Sequence, residues 1–273
     1  MSDPDEALID RARAGDRAAL EALIERHQAR VYRFGVKMCR HPEDARDVLQ
    51  DTMLALARGV RDFRGGASLS TWLYSVARSH CIKKRRRSVY APEPERSLDG
   101  DAAGDAATLA DPSRGPDEEV AGREVERALE RAIASLDPMY REVLILRDAE
   151  GLTAPEVAEV LGITPQAVKS RLHRARVAVR DVVAPALGAP AEASPGPACP
   201  DVLTLFSKHL EDEISADACA EMERHVAGCA RCRGACDSLR RTLALCRTSG
   251  AASEVPAEVQ RSVKLALRGL LAI

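Results

Sequence analysis

The sequence predicts an all-α protein of several helical domains, and three observations support this fold class. Of the 273 residues only 3% are aromatic, and alanine, leucine and arginine are abundant, a composition that disfavours β-sandwiches and barrels. Apolar residues recur at helical spacing through the long segments of the chain. Stretches rich in proline, glycine and alanine separate these segments. We therefore expect separate helical units joined by linkers.

Two linkers divide the chain. Residues 91–117 contain proline, glycine, alanine and aspartate but almost no large apolar side chain. They bury too little surface to offset the entropy of ordering, so they are predicted to form a flexible acidic linker. Residues 184–198 are rich in proline and alanine and are predicted to be extended. Three domains remain, over residues 1–90, 118–183 and 199–273.

The charge balance and the hydropathy pattern exclude several classes of protein. With 40 Lys and Arg against 42 Asp and Glu, the net charge is −2, so any surface that binds a polyanion must be local. The chain has no uncharged apolar run of about 18 residues and no apolar leader segment. Residues 255–273 are apolar, but Arg261, Lys264 and Arg268 interrupt them at helical spacing and predict an amphipathic helix. We therefore expect a cytoplasmic protein with no membrane partner.

The first domain is predicted to contain three helices. An apolar stripe runs from Leu20 to Met38, and this helix is expected to end before Pro42. Pro42 begins the second helix, because proline is favoured at the first helical position and acidic residues follow it. After a glycine turn, Ser70 or Thr71 is expected to cap the third helix, whose C-terminal half is strongly basic.

The basic half of the third helix is a candidate nucleic-acid surface. Trp72 and Tyr74 precede it by one or two helical turns. Positive charge attracts a phosphate backbone, and aromatic rings stack on unpaired bases. A solvated helix end and a core tryptophan would explain the same pattern equally well, so this run alone does not decide. The basic residues are Arg78, Lys83, Lys84, Arg85, Arg86 and Arg87.

The middle domain has the pattern of a helix-turn-helix. Two helices are predicted before Gly151. Thr153 and Glu156 then have the spacing of a capping box, Gly162 makes a turn, and Thr164 can cap the last helix. This arrangement holds two short helices at a steep angle, and its second helix is the one that enters a major groove.

The last helix of the middle domain is the predicted DNA reader. Its apolar stripe is expected to be buried and consists of Val168, Leu172, Ala175 and Val179. The candidates for contact with DNA are Gln166, Lys169, Ser170, Arg171 and Arg174. The later Arg176 and Arg180 are expected to contact phosphate. The alternative is a solvated basic helix in a bundle.

The third domain contains a candidate metal site. Six of the eight cysteines lie between residues 199 and 246, which in a chain without an export signal indicates metal or redox chemistry. His225, Cys229 and Cys232 follow the spacing His-x3-Cys-x2-Cys, and Cys199 can supply a fourth ligand. A set of three thiolates and one imidazole satisfies tetrahedral zinc.

Four further side chains in and around this cluster carry separate predictions. Cys219, Cys236 and Cys246 are either small buried residues or additional metal ligands. His209 is expected not to be a ligand. Cys39 and Cys81, in the first domain, are expected to be structural.

Residues 41–87 resemble region two of the extracytoplasmic-function (ECF) sigma factors, and the middle domain resembles their region four. The resemblance implies a promoter-specificity subunit of bacterial RNA polymerase, with core polymerase (its β′ and β subunits) and promoter DNA as partners. It implies that the clamp helices of β′ bind Asp44, Asp47, Gln50 and Asp51. It also implies that residues 63–87 read and melt the −10 element through Trp72, Arg78, Lys83, Lys84 and Arg85, and that the helix after Thr164 reads the −35 element. Ser79 and Lys83 depart from the family pattern, which affects the expected −10 base preference.

The cysteine-rich segment resembles the zinc-binding anti-sigma fold, and the whole chain resembles the CorE-type metal-dependent ECF sigma factors. This implies a sigma factor, not an enzyme, whose promoter binding is controlled by a metal at the C-terminal domain. Zn²⁺ or Cd²⁺ suits a site of thiolates and imidazole, whereas Cu(I) would suit an all-thiolate site. The alternatives are a zinc–thiol redox sensor, and a DNA-binding repressor with a structural zinc site. A dithiol oxidoreductase is disfavoured because no strands are predicted nearby.

Overall fold

The structure is a computed structural model that describes residues 5–39, 41–90, 116–188, 199–248 and 255–271. Within these ranges all regular secondary structure is helical, as predicted. The helices are α1 (Glu6–Arg13), α2 (Arg17–Met38), α3 (Pro42–Gly59), α4 (Leu69–Tyr90), α5 (Pro116–Ser135), α6 (Pro138–Leu144), α7 (Ala154–Leu161), α8 (Pro165–Val183), α9 (Val202–His209), α10 (Ala216–Gly228), α11 (Ala230–Thr248) and α12 (Ala257–Leu271).

Of the acidic linker predicted at 91–117, only residues 116 and 117 are described, and they begin α5. Of the linker predicted to be extended at 184–198, residues 184–188 are described, and this part of the prediction is wrong: they form turns, because the N–H of Leu187 donates to the carbonyls of Val183 and Ala184. Residues 189–198 lie outside the described residues.

The chain divides into two compact units. The first consists of residues 1–108 together with 252–273, and the second of residues 109–251. The predicted domain of residues 199–273 is therefore divided in the structure. Its cysteine-rich part belongs with the helix-turn-helix, whereas α12 belongs with α1–α4.

The first unit is a bundle built around α2, α3 and α4. Asp16 caps α2 by accepting hydrogen bonds from the backbone of Ala18 and Ala19. Pro42 occupies the first turn of α3, as predicted. The bundle core is made of large apolar side chains with at most 2% of their surface exposed: Leu23, Phe34, Leu49, Met53, Leu56, Leu73 and Tyr74.

The cap of α4 differs from the prediction. Ser68 is the capping residue, and its Oγ accepts a hydrogen bond of 3.1 Å from the backbone N–H of Thr71. Ser70 and Thr71, the predicted caps, lie inside the helix. The reason is that a capping side chain must reach an N–H two or three residues ahead, and α4 begins at Leu69.

The second unit begins with the predicted helix-turn-helix. Thr153 and Glu156 form the capping box at the start of α7, and Gly162 ends that helix with φ of 66°. Only glycine adopts this left-handed conformation without a steric cost. Thr164 caps α8 through the backbone N–H of Ala167. The predicted stripe of α8 is buried, as expected: Val168, Leu172, Ala175 and Val179.

Helices α9–α11 complete the second unit and have a small core of their own. This core includes Val202, Phe206, Met222, Leu239 and Leu243. Helices α9 and α11 also pack on α8, so the cysteine-rich segment contacts the helix that is predicted to read DNA. Among the described residues, no helix has the length and apolarity needed to cross a bilayer.

Candidate metal centre and nucleic-acid interface

The four predicted metal ligands come together in the structure. The ligand atoms of Cys199, His225, Cys229 and Cys232 all lie within 4.8 Å of one another. Cys199 precedes α9, His225 is in the last turn of α10, Cys229 lies between α10 and α11, and Cys232 is in the first turn of α11. The ends of α10 and α11 and the residue before α9 thus meet at one point. The spacing His-x3-Cys-x2-Cys places its three side chains around the junction of α10 and α11.

The distances fit a tetrahedral site for a metal such as zinc. Sγ of Cys199 and Sγ of Cys229 are 4.0 Å apart, and Nε2 of His225 lies 3.2 Å from Sγ of Cys232. With Zn–S bonds of about 2.3 Å, two thiolates of a tetrahedral site lie about 3.8 Å apart. Three thiolates and one imidazole also leave no coordination position open, which is typical of a structural or regulatory site rather than a catalytic one.

The electrostatics of the cluster favour a bound cation. Burial raises the pKa of the Cys232 thiol to about 12, with further contributions from Cys199 and Cys229. The pKa of Cys229 is lowered, mainly by a hydrogen bond with the backbone of Cys232. Several thiolates this close repel one another, and a metal ion removes that repulsion and keeps its thiol ligands deprotonated.

The three further cysteines of this segment are not brought into the four-ligand group. Cys219 Sγ lies 3.5 Å from Nδ1 of the exposed His209 and 3.7 Å from a carboxylate oxygen of Glu223. Cys236 and Cys246 are buried on α11, with Cys236 in the core of the segment. Cys236 and Cys246 therefore pack as small apolar side chains do. In the first unit, Cys39 and Cys81 lie with their Sγ atoms 3.2 Å apart.

The predicted −35 residues lie on the N-terminal half of α8. Gln166, Ser170 and Arg174 are exposed, while Lys169 and Arg171 are partly buried. Arg174 donates a hydrogen bond of 3.2 Å to the hydroxyl of Tyr140 on α6. The exposed side chains can reach a nucleic-acid partner without a change in the fold of α6–α8.

The prediction that Arg176 and Arg180 contact phosphate is wrong for this structure, because both are buried. Arg176 donates to both carboxylate oxygens of Asp148, at 2.7 and 2.8 Å, and to Glu211 at 2.6 Å. Arg180 donates to the hydroxyl of Ser238 on α11 at 2.8 Å. The sequence shows the charge of an arginine but not the partners that meet it 28 to 58 residues away.

The cysteine-rich segment contacts α8 through an acidic loop that follows α9. Glu211 binds Arg176 and also Arg147, whose Nε lies 3.1 Å away. Glu213 forms an ion pair of 3.1 Å with Lys169. Next to them, the hydroxyl of Thr204 lies 3.1 Å from Nε2 of His173. We call Glu211, Glu213 and Thr204 the α9 contact.

The α9 contact lies beside the predicted DNA-reading residues. Glu211, Glu213 and Thr204 line one groove together with Gln166, Lys169, Ser170 and Arg174. Sequence reasoning missed this contact. The available signal was the acidic run Glu-Asp-Glu at 211–213. This run is negatively charged, as DNA phosphates are, so it can bind the same basic residues of α8.

The predicted −10 residues of the first unit differ in their surroundings. Trp72 is partly exposed and meets Phe63 edge to face, with ring centroids 6.2 Å apart. Tyr74 is instead a core residue that packs against Phe34. Lys83 and Arg85 are exposed, Arg78 is partly buried, and Arg87 lies outside the residues whose side chains the structure describes. Of the two predicted aromatic residues, Trp72 is thus the one whose ring remains partly exposed, and it pairs with Phe63.

Lys84 turns toward α3 rather than outward. It forms ion pairs with Asp47 and with Asp44, the latter at 3.7 Å, and these carboxylates raise its pKa. Asp51 lies 3.3 Å from Nδ1 of His80. Lys84, a predicted DNA contact, is thus engaged by two predicted polymerase contacts, so in this structure it supports the position of α4 on α3.

Comparison with known proteins identifies the family. Residues 23–89 match the Sigma-70 region 2 family, residues 126–179 match the Sigma-70 region 4 family, and residues 199–233 match a zinc-finger family. The ECF sigma factor SigM of Mycobacterium tuberculosis is 33% identical over 163 residues, which cover 60% of this chain and 76% of that protein. The chain belongs to the ECF sigma factor family. It is a sigma factor for transcription initiation, a class of protein that works with core RNA polymerase and DNA.

A second relative and one solved structure are also similar to this chain. The sigma factor NccH of Alcaligenes xylosoxydans xylosoxydans is 32% identical over 179 residues, or 64% of this chain and 94% of that protein. Among solved structures, CnrH in complex with the cytosolic domain of CnrY is 24% identical, covers 65% of this chain and 95% of that chain, and has a TM-score of 0.45. The match to the Sigma-70 region 4 family ends at residue 179, before the cysteine-rich segment, and the zinc-finger family match covers residues 199–233.

Proposed function

We propose that this ECF sigma factor binds promoters under the control of a metal ion held by Cys199, His225, Cys229 and Cys232. The observation that supports this most directly is the α9 contact. The segment that assembles the four ligands is the same segment that places two carboxylates on the basic face of α8.

The coupling between metal and promoter follows from linkage. The arrangement with four ligands in contact is also the arrangement in which Glu211 and Glu213 engage α8. An ion that binds only this arrangement stabilises it, by about 2.7 kcal/mol at a concentration one hundred times the dissociation constant. It therefore holds the α9 contact closed and lowers the affinity of α8 for DNA. Loss of the ion releases α8.

The donor set favours one class of metal ion. Three thiolates and one imidazole suit Zn²⁺ or Cd²⁺, and we propose one of these as the controlling ion. Copper in its reduced state favours sites of thiolates alone with a low coordination number, which would leave His225 unused. Copper is therefore the less favoured ion.

The DNA and polymerase contacts complete the proposal. We assign the −35 element to Gln166, Lys169, Ser170, Arg171 and Arg174 on α8. We assign the −10 element to the Phe63–Trp72 pair and to the exposed basic residues of α4, with Arg78 beside them and Lys84 in a supporting position. The polymerase contacts are assigned to α3, at Asp44, Asp47, Gln50 and Asp51.

The experiment is a titration of promoter binding by the purified chain with core polymerase, at fixed ionic strength because phosphate contacts depend on salt. Zn²⁺, Cd²⁺ and copper in both oxidation states are added separately. Promoter affinity is expected to fall with Zn²⁺ or Cd²⁺, and Cys229→Ser is expected to abolish this response. Cys219→Ser is the matched control, because that thiol lies outside the four-ligand group, and it should respond like the parent chain.

Three results would revise the proposal in different ways. If metal changes the stability of the chain but not its promoter affinity, the site is structural. If promoter affinity rises with metal, the metal controls promoter binding in the direction opposite to the one proposed. If peroxide and metal removal act alike, the zinc–thiol centre senses redox state.

A further inference from the structure

We propose that Cys39 and Cys81 form a redox modification site, at which hydrogen peroxide converts the two thiols into a reversible disulfide between α2 and α4. The deciding observation is that their Sγ atoms lie 3.2 Å apart, although the two residues are 42 positions apart in the sequence. Both thiols belong to the first unit, whereas the four predicted metal ligands belong to the second. The proposal therefore depends neither on metal control nor on the assignment of DNA contacts.

Two packed helices bring these thiols together. Cys39 directly follows the last residue of α2, where the backbone is extended with ψ of 147°. Cys81 lies within α4, two helical turns after Tyr74. Tyr74 itself meets Phe34 of α2 edge to face, with ring centroids 5.4 Å apart. Disulfide formation needs a further approach of the sulfur atoms by about 1 Å, and a rotation at Cys39, outside the helix, can supply it.

The surroundings of the two thiols differ, and this difference sets the order of the reaction. Cys39 is partly exposed, whereas Cys81 is buried with 6% of its surface exposed. A hydrogen bond from the Cys81 thiol lowers the pKa of Cys39, and Lys84 acts in the same direction, while burial and Asp44 oppose them. The thiolate is the form that reacts with peroxide. Cys39 is therefore the thiol that is attacked first by the oxidant, and Cys81 is the thiol that completes the bond.

The oxidation takes two steps and consumes one molecule of hydrogen peroxide. The Cys39 thiolate attacks one peroxide oxygen, the O–O bond breaks, and the leaving hydroxide takes up a proton to become water. Cys39 is then a sulfenic acid. Sγ of Cys81 attacks the sulfenic sulfur, so that the S–S bond forms, the S–O bond breaks, and the hydroxyl leaves with the proton of Cys81 as a second water. A dithiol reductant reverses the bond by exchange and becomes a disulfide itself.

The disulfide has two consequences for the first unit. It closes a loop that contains all of α3, which restricts the unfolded chain and stabilises the folded bundle. It also stops the oxidation of Cys39 at a reversible stage. A sulfenic acid that meets no second thiol proceeds to a sulfinic acid, which thiol reductants do not restore.

The test oxidises the full chain with hydrogen peroxide, at low protein concentration and with Zn²⁺ present, and maps the disulfides by non-reducing tryptic digestion after alkylation. Trypsin releases Cys39 in the peptide of residues 38–40 and Cys81 in that of residues 79–83, each with one cysteine. We expect these two peptides to be joined, two hydrogen atoms lighter than their sum, and to separate on addition of dithiothreitol. The melting temperature of the first unit should rise by about 5 °C or more on oxidation.

Cys219 is the matched control thiol. It lies in the tryptic peptide of residues 209–224, and partial burial and Glu223 raise its pKa. Cys219 should therefore remain open to alkylation after Cys39 has been lost to it. A parent chain in which Cys39 stays open to alkylation while Cys219 is oxidised would overturn the proposal. So would a Cys39 that is joined to a second molecule rather than to Cys81.

Two variants separate the proposed pair from general oxidation of cysteines. In Cys81→Ala, Cys39 should gain two oxygen atoms, should not be restored by dithiothreitol, and should give no rise in melting temperature. Cys246→Ala also replaces a buried cysteine and should keep the joined peptides. Circular dichroism before oxidation verifies the fold, and Cys39→Ser, at the partly exposed position, serves if Cys81→Ala does not fold, since it should leave Cys81 unoxidised. A parent chain that also ends as the sulfinic acid at Cys39 would show that Cys81 does not complete the bond.

Discussion

The guanidinium of Arg176 lies between two carboxylates that have different origins. Asp148 belongs to the helix-turn-helix itself and binds Arg176 through both oxygens, whereas Glu211 comes from the cysteine-rich segment. All three side chains are buried. When the α9 contact opens, Arg176 keeps the charge of Asp148, so release does not leave a lone charge in the fold. Removing a partner of a buried charge is costly, and here only one of the two partners leaves.

This difference predicts that replacing Glu211 and replacing Asp148 affect different properties of the protein. Glu211→Gln removes the charge but keeps a hydrogen-bonding group, so it should weaken the α9 contact by about 1 kcal/mol. Promoter DNA affinity should rise several-fold, measured by fluorescence anisotropy on a −35 duplex. Asp148→Asn should instead lower the melting temperature of the second unit. If both variants affect only stability, Glu211 has no restraining role.

His173 makes the α9 contact sensitive to pH. Burial lowers its pKa, and Arg176, Arg174 and Lys208 lower it further, while Asp201 acts in the opposite direction. In the released form the burial by α9 and the charge of Lys208 on that helix are gone, so the pKa of His173 rises toward its ordinary value of about 6.5. The closed form thus binds fewer protons, so the contact is stable above about pH 6.5 and weakens as the pH falls below it.

Hydrogen exchange measures this effect directly. The amides of α9, corrected for intrinsic exchange rates, should open more often at pH 5.5 than at pH 7.5 in the parent chain. His173→Gln cannot titrate and should show no such increase. An equal increase in both chains would show that His173 is not the group responsible for the pH effect.

At the scale of elements, local signals predicted the helices well. The capping box of Thr153 and Glu156, the turn at Gly162 and the cap at Thr164 all join residues three or fewer positions apart. Three of the predicted metal ligands, His225, Cys229 and Cys232, also lie within seven positions of one another, whereas Cys199 is 26 positions from His225 and was chosen for its residue type. The sequence could not indicate that Glu211 pairs with Arg176 or that α12 packs on α3. Those contacts join residues that are 35 and 212 positions apart.

Helix α4 offers a test of the corrected cap. Ser68→Ala removes the acceptor for the backbone N–H of Thr71 and should lower the unfolding free energy of the first unit by about 1 kcal/mol. Ser70→Ala, within the helix, is the matched control and should have a smaller effect. Urea denaturation gives both values. A larger loss for Ser70→Ala would restore the cap that the sequence predicted.

For the whole molecule, metal removal should affect the two units unequally. Helices α9–α11 have a small core. An ion on the four predicted ligands would add to their stability, since metal binding to a site absent from the unfolded chain contributes to folding. A strong chelator should therefore lower the melting temperature of the second unit and leave that of the first unit unchanged. Cys229→Ser should melt alike with and without chelator. A similar shift in both units would show that the ion acts elsewhere.

The cysteine-rich segment and the helix it restrains are parts of one polypeptide, and this has a consequence for how the cell sets its response. A separate inhibitor must be made in proportion to its sigma factor, and its occupancy changes with the amounts of both proteins. A tethered segment meets its target at an effective concentration of about millimolar, whatever the expression level. Under the proposed metal control, the fraction of released α8 would follow the free ion and not the ratio of two proteins, so no second gene would need to be matched to the first.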